Sequence, residues 1–237
     1  MKTLQIEEIL KNNSYPGRGI IVGLDKSGEN AFIAYFIMGR SENSRNRIFS
    51  KTDDGIIIYP FDESKVEDPS LIIYSPVREI NNKLIVTNGD QTDTVYDFIK
   101  DGKSFEDALL TREFEPDRPN FTPRISAILH LDGEFNYQMS ILKSSDEIGS
   151  GCNRFTYNYA PVKGLGHFIH TYAGDGNPIP SFYGEPEKIF LGDDFEAFHS
   201  GIWNSLNKDN KVSMYAIKLN LKDKTQITKI YNKNKGE

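Results

Sequence analysis

The stretch "RISAILHLDGEFNYQMSIL", Arg124 to Leu142, decides the fold class. Apolar residues recur at every second position on both sides of Asp132-Gly133, which is the period of a strand with one buried face. Asp-Gly between two such runs is a strong turn signal, so the stretch predicts an antiparallel hairpin with strands at Arg124–Leu131 and Glu134–Leu142. "LKDKT", Leu221 to Thr225, separates Val212–Leu221 from Thr225–Tyr231 in the same way. Further runs of strand type, rich in Ile, Val, Phe and Tyr, fall at Gly19–Leu24, Ala31–Met38, Gly55–Tyr59, Ser70–Tyr74, Lys83–Thr87, Gly166–Tyr172 and Lys188–Leu191.

Helical patterns are fewer. "QTDTVYDFIKDG" carries Val95, Phe98 and Ile99, with Gly102 where a helix ends. "SFEDALLTREF" follows, with Ser104 as N-cap and Asp107 three residues later as its capping-box partner. "DDFEAFHSGIWNSLN" places Phe195, Phe198, Ile202 and Leu206 on one stripe, and "LQIEEILKN" is a short amphipathic fourth. Many antiparallel strands and a few helices predict one α+β domain over residues 1–237, with two sheets face to face and helices outside. The Pro/Asn/Gly-rich stretches lie between strands and read as ordered loops.

A chain of 237 residues with 38% hydrophobic and 12% aromatic content has ample material for a core. The net charge of −6 argues against a general binder of nucleic-acid backbone. Cys152 is the only cysteine, which points to a reducing compartment, and no apolar run approaches a bilayer span. The expected location is the cytoplasm. Four histidines and one cysteine make a transition-metal site improbable, and His167 and His170, three apart on a strand, would face opposite sides.

Four polar segments interrupt the apolar pattern. "YPGRGIIVG" is a turn feeding a strand. "MGRSENSRNRIF" sets Arg40, Arg45 and Arg47 among small polar residues after a strongly apolar run, which suits either a bound phosphate or a solvated loop. "TNGDQTDT" joins a strand end to a helix start, where exposed amides favour an anion, although a plain turn reads the same way. "REFEPDRPNFTPRI" gathers Arg112, Glu113, Glu115, Asp117, Arg118 and Arg124. On an extended backbone Glu113 and Glu115 would share a side, and paired carboxylates supply an acid or base usable near neutrality. No Walker loop, dinucleotide fingerprint or nucleophile elbow is present.

Taken in order, "YPGRGIIVG", "AYFIMGRSENSRNR", "LIIYSPVRE", "VTNGDQTDT", "EFEPDRPNFTPRI" and "TYAGDGNP" resemble the archaeal-type inosine monophosphate (IMP) cyclohydrolase family, from about Tyr15 to beyond Phe182. The resemblance implies a four-layer αββα fold akin to the N-terminal-nucleophile hydrolases. It implies closure of 5-formamidoimidazole-4-carboxamide ribonucleotide to IMP with loss of water, with no metal or organic cofactor. A homo-oligomer is implied without a fixed number. The start Met1-Lys2-Thr3 is not that of a freed N-terminal nucleophile.

On this resemblance Arg40, Arg45 and Arg47 are the expected holders of the phosphate or adjacent ring. Tyr74, with Arg45 or Arg78, would donate to the formyl oxygen. Glu115 with Glu113 would move the proton, and Asn88, Gln91 and Thr92 would bind the carboxamide or ribose hydroxyls. Arg124 completes the substrate-binding set. The alternatives are a purine-nucleotide-binding relative without turnover and an amidohydrolase using Cys152 or Thr3.

Overall fold

Strand β2 (Asn30–Met38) is buried at all nine positions, and a strand buried on both faces needs a layer on each side. The computed structural model, which describes residues 2–66 and 73–236, shows both layers. Among the described residues one sheet has six strands in the order β11 (Glu187–Phe190), β10 (Leu165–His170), β1 (Arg18–Leu24), β2, β12 (Lys211–Asn220), β13 (Gln226–Asn232). The other has seven strands in chain order: β3 (Ile48–Lys51), β4 (Gly55–Tyr59), β5 (Val77–Ile80), β6 (Lys83–Thr87), β7 (Arg124–His130), β8 (Asn136–Ser144), β9 (Cys152–Tyr159). Every neighbouring pair of strands is antiparallel.

The period-2 alternation assigns each strand residue to a layer. Ile20, Val22, Ile33 and Tyr35 of the first sheet meet Leu84, Val86, Ile125, Ala127, Tyr137 and Met139 of the second in the inter-sheet core. The intervening Ile21, Phe32, Ala34 and Phe36 face outward onto Ile6 and Leu10 of α1 (Ile6–Asn12) and Phe198 and Ile202 of α5 (Phe195–Ser205). On the far side Ile85, Ile128 and Leu142 pack against α3 (Gln91–Lys100) and α4 (Phe105–Leu110) through Val95, Ile99, Phe105 and Leu109. The order is helix, sheet, sheet, helix, so the α+β sandwich read from the sequence is the fold.

The expected helix ends hold in detail. The Ser104 hydroxyl accepts the Asp107 N–H, and the Asp107 side chain returns a bond to the Ser104 N–H. Gly102, at φ +75°, follows α3, and the N–H groups of Gly102 and Lys103 return to the carbonyls of Ile99 and Phe98. Asp132-Gly133 lies in the β7–β8 connection, but the pair His130/Asn136 closes a five-residue loop, so β8 starts two residues later than the alternation suggests. The strand expected over Ser70–Tyr74 lies largely outside the described residues. Tyr74 is in an irregular segment whose carbonyl accepts the Ile58 N–H.

Three strands carry no strong pattern. β3 and β5 are four residues each, and β9, "CNRFTYNY", is a mostly exposed sheet edge with few apolar residues to alternate. His167 and His170 do take opposite faces. His167 points to the inter-sheet side against Tyr137 and Tyr159, while His170 bonds the Tyr172 carbonyl. Among the described residues no helix is long and apolar enough to cross a membrane.

Candidate active site

Antiparallel pairing gathers the starts of β1, β3 and β7 and the ends of β2, β6 and β10 around one cavity of about 860 Å³. That size is within the range of small-molecule sites. Its first wall is the turn before β1. Gly17 sits at φ +79°, and a Cβ there would stand 2.2 Å from Thr171 Oγ1 and 2.5 Å from the Tyr172 ring, so only glycine fits. The turn is held from both sides: Met38 N–H bonds the Gly17 carbonyl at 3.0 Å, and Arg18 N–H bonds Thr171 Oγ1 at 3.1 Å. Tyr15 and Tyr172 stack with centroids 5.8 Å apart, and the Arg40 guanidinium lies 5.1 Å from the centre of the Tyr15 ring.

The arginine cluster after β2 is divided by a short helix. In α2 (Glu42–Arg45) Ser41 caps Ser44 and Ser44 returns the bond, and this one turn separates the three guanidinium groups. Arg40 stays at the cavity, bonded to Asp175 at 2.5 Å and to the Gly176 carbonyl at 2.8 Å. Arg45 turns away from the cavity to the Gly39 carbonyl and Asn210. Arg47 lines the cavity, aligned by the Asn46 side chain, which exchanges two 2.8 Å bonds with the Asp62 backbone.

Arg18 and Arg47 carry the site's unbalanced charge. Neither has a carboxylate within salt-bridge distance among the described residues, and the Nε of each is buried without a partner. Burial, and next the neighbouring Arg18, pull the Arg47 guanidinium below its usual range. The Arg18 guanidinium is shifted the other way, because against the cost of burial Tyr172 and next Glu115 favour its charge. Two neighbouring guanidinium groups with unpartnered Nε donors form a place for an anion. Arg18 was visible in the sequence as a charge opening an otherwise apolar strand, although no role follows from that alone.

The third wall runs from β6 to α3. Asn88 accepts the Ile125 N–H at 2.8 Å and donates to the Pro123 carbonyl at 2.9 Å. Gln91 donates to Asn88 and the Ile125 carbonyl, and Thr92 bonds Thr87 and the Gly89 carbonyl. All three are buried, with their polar atoms engaged inside the wall. They hold Gly89 and Asp90 at the cavity, where a Cβ on Gly89 would meet Arg124 Nη1 at 2.5 Å. Arg124 lines the cavity with Nη1 bonded to Asp90 and to Gln91, and Arg112 shares Asp90. Arg78 lies elsewhere, bonded to Asp54 and Asp93 over the Tyr96 ring.

The fourth wall is the loop between α4 and β7. Glu115 N–H bonds the Thr122 carbonyl at 2.9 Å, which folds the segment back on itself. Glu113 and Glu115 nevertheless do not share an environment. Glu113 is exposed, with Arg154 at 3.7 Å, whereas Glu115 lines the cavity. Burial pushes the Glu115 carboxyl above its ordinary range, against the pull of Arg18 and Arg124, and Asp117 adds to the rise. Tyr74 also faces the cavity, its phenol raised by burial and its hydrogen given to the Asn88 carbonyl at 2.8 Å. Among the described residues no three His, Cys, Asp or Glu side chains form a metal-ligating group, and Cys152 and Thr3 are not in the cavity wall.

The IMP cyclohydrolase-like protein family matches residues 15–224. The IMP cyclohydrolase of Methanococcus aeolicus is 29% identical over 163 residues, 67% of this chain and 74% of that protein. The IMP cyclohydrolase of Methanococcus maripaludis strain C7 is 35% identical over 126 residues, 51% of this chain and 61% of its own length. For the IMP cyclohydrolase of Methanothrix thermoacetophila the figures are 33% over 119 residues, 48% and 57%, so the matched stretch is less than two thirds of either of these two relatives. With every wall of the cavity inside the matched residues, the chain belongs to the IMP cyclohydrolase-like protein family.

Proposed function

We propose that this cavity closes 5-formamidoimidazole-4-carboxamide ribonucleotide to IMP. The observation that carries the reading is the pair Arg18 and Arg47, each with a buried and unpartnered Nε and no carboxylate partner among the described residues, beside a carboxyl of raised pKa, Glu115. The substrate offers what each group lacks: phosphate and carbonyl oxygens for the guanidinium donors, and a nitrogen-bound proton for the carboxylate.

The ring closes when the carboxamide nitrogen bonds the formyl carbon. One hydrogen leaves that nitrogen, one leaves the formamide nitrogen, and both depart with the formyl oxygen as water. Holding the two groups together supplies much of the acceleration. Glu115 takes the carboxamide proton and returns it to the departing oxygen. Arg47 and Arg18 donate to the formyl oxygen as charge builds there. Tyr74, whose hydrogen is already given to Asn88, fixes the wall beside them. Arg40 and Arg124 hold the phosphate and ribose end. Asn88, Gln91 and Thr92 act one layer behind, by shaping the Gly89-Asp90 turn, and Arg45, Arg78 and Glu113 are assigned no contact.

The chemistry is neither redox nor group transfer and calls for no cofactor. It belongs in the cytoplasm, and the homo-oligomer implied by the resemblance is read by light scattering. Incubation of the purified protein with the formamido ribonucleotide, followed by chromatography, is the test. Enzyme-dependent IMP is the expected result. Stabilisation by IMP in a thermal melt without turnover would instead favour a purine-nucleotide-binding relative.

A further inference from the structure

The Thr122 hydroxyl has one hydrogen and two close neighbours. Its oxygen stands 2.5 Å from Oδ2 of Asp117 and 2.6 Å from the phenolic oxygen of Tyr172. A carboxylate only accepts, so the Thr122 hydrogen goes to Asp117, whose Oδ1 also accepts the Thr122 N–H at 2.7 Å. The second contact of Thr122 Oγ1 must then be an acceptance, and Tyr172 is its donor. Burial pushes the Tyr172 phenol up to about 12, so its hydrogen is present throughout the neutral range. Donation runs from Tyr172 to Thr122 to Asp117. All three residues line the cavity, and what the Tyr172 oxygen can present there is a lone pair.

We infer that Tyr172, held as an acceptor by Thr122 and Asp117, is a specificity-determining residue that takes a hydrogen bond from the ring-closing nitrogen of the ligand. It thereby selects a purine nucleotide with N–H at that position over one with a bare ring nitrogen. The inference rests on the IMP-forming reading. In that reaction the carboxamide nitrogen keeps one hydrogen and becomes the N1–H of the product. The cavity's arginines are donors suited to oxygen and cannot recognise that N–H, and Glu115 is assigned the other hydrogen of the same carboxamide nitrogen. Adenosine monophosphate (AMP) carries a lone pair at the same atom and would set it against the lone pair of Tyr172. Asp117 and Thr122 are positioning residues that act through Tyr172.

Asp117→Asn reverses the chain with little change of shape. The Thr122 N–H keeps the amide oxygen in place of Oδ1, so the amide nitrogen takes the position of Oδ2 and donates to Thr122 Oγ1. The Thr122 hydrogen then turns to Tyr172, and the Tyr172 hydrogen turns to the cavity. Calorimetric affinities for IMP and AMP read the outcome. The wild type should favour IMP by about tenfold or more, the scale of one opposed buried polar pair. Asp117→Asn should shrink or invert that ratio, and Thr122→Ser, which keeps the hydroxyl, should preserve it. A ratio unchanged in Asp117→Asn overturns the inference, as does equal loss of both nucleotides or a wild type that binds neither. Should Asp117→Asn fail to fold, Tyr172→Phe removes the acceptor outright and must abolish the preference. Turnover is scored separately. A wild type that forms no IMP, yet loses its preference in Asp117→Asn, removes the cyclisation reading and keeps the Tyr172 assignment. A wild type that forms IMP with an unaltered ratio in the variant does the reverse.

Discussion

Replacing Glu115 with Gln exchanges one oxygen for an amide nitrogen in a side chain that burial already holds toward its neutral form. The backbone bond from Glu115 N–H to Thr122 is untouched, so the loop keeps its course. The variant has no titrating group at the point where the proposed reaction must take and return a proton. General acid–base groups contribute about 10²–10⁴-fold, so kcat should fall by that factor while KM changes little. The pH profile is a second readout. The acid limb of kcat/KM should fall above the ordinary glutamate range, because the Glu115 carboxyl is raised, and it should vanish in Glu115→Gln. The stability sign is opposite to that of a salt-bridged carboxylate. A raised folded pKa means that the fold binds the proton more tightly than the unfolded chain. That stabilisation is full below the unfolded pKa and lost as pH rises through the folded one. At pH 7 the variant should therefore melt no lower than the wild type. The control is Glu113→Gln, which changes only an exposed contact with Arg154 and should leave turnover intact. Near wild-type turnover in Glu115→Gln would refute the assignment, and so would an activity loss matched by a lower melting temperature.

Arg47→Met removes a buried guanidinium that burial and Arg18 disfavour. The free protein should melt at the same or a higher temperature while IMP affinity falls roughly 10–100-fold, the worth of charge-assisted bonds; paired melting scans and calorimetry check both. Gly17→Ala forces a Cβ against Thr171 and Tyr172 at positive φ. It should cost more than about 1 kcal/mol in urea unfolding and weaken IMP binding through the displaced Tyr172. Ser104→Ala loses the capping box of α4, on the outer layer away from the cavity. It should cost about 1 kcal/mol in the same unfolding assay with turnover unchanged.

What was legible in the sequence follows from where periodicity operates. β1 and β2 show themselves because each is buried on both faces, so nearly every residue from Ile20 to Leu24 and Ala31 to Met38 is apolar. β9 does not, because an exposed edge strand needs few apolar side chains, and its register is set by β8 through backbone bonds that any residue can make. The site lies where the chain leaves regular structure, and there direction is set by particular side-chain bonds. Arg40, Arg45 and Arg47 are the same residue type within eight positions, yet the Ser41–Ser44 cap sends Arg45 outward and leaves Arg47 in the cavity. Glu113 and Glu115 look equivalent in the sequence, yet the folded-back loop sets Glu115 in the cavity wall and leaves Glu113 exposed beside Arg154. Residue type therefore carried the charge of the ligand, an anion, without assigning the contacts. The proposed contacts come from counting partners. Asp90, Asp175 and Asp54 already neutralise Arg124, Arg40 and Arg78, whereas Arg18 and Arg47 have no carboxylate partner among the described residues. A buried charge is tolerated without a partner only where something else stabilises it, and in the proposed reaction the substrate's oxygens would do so at Arg18 and Arg47.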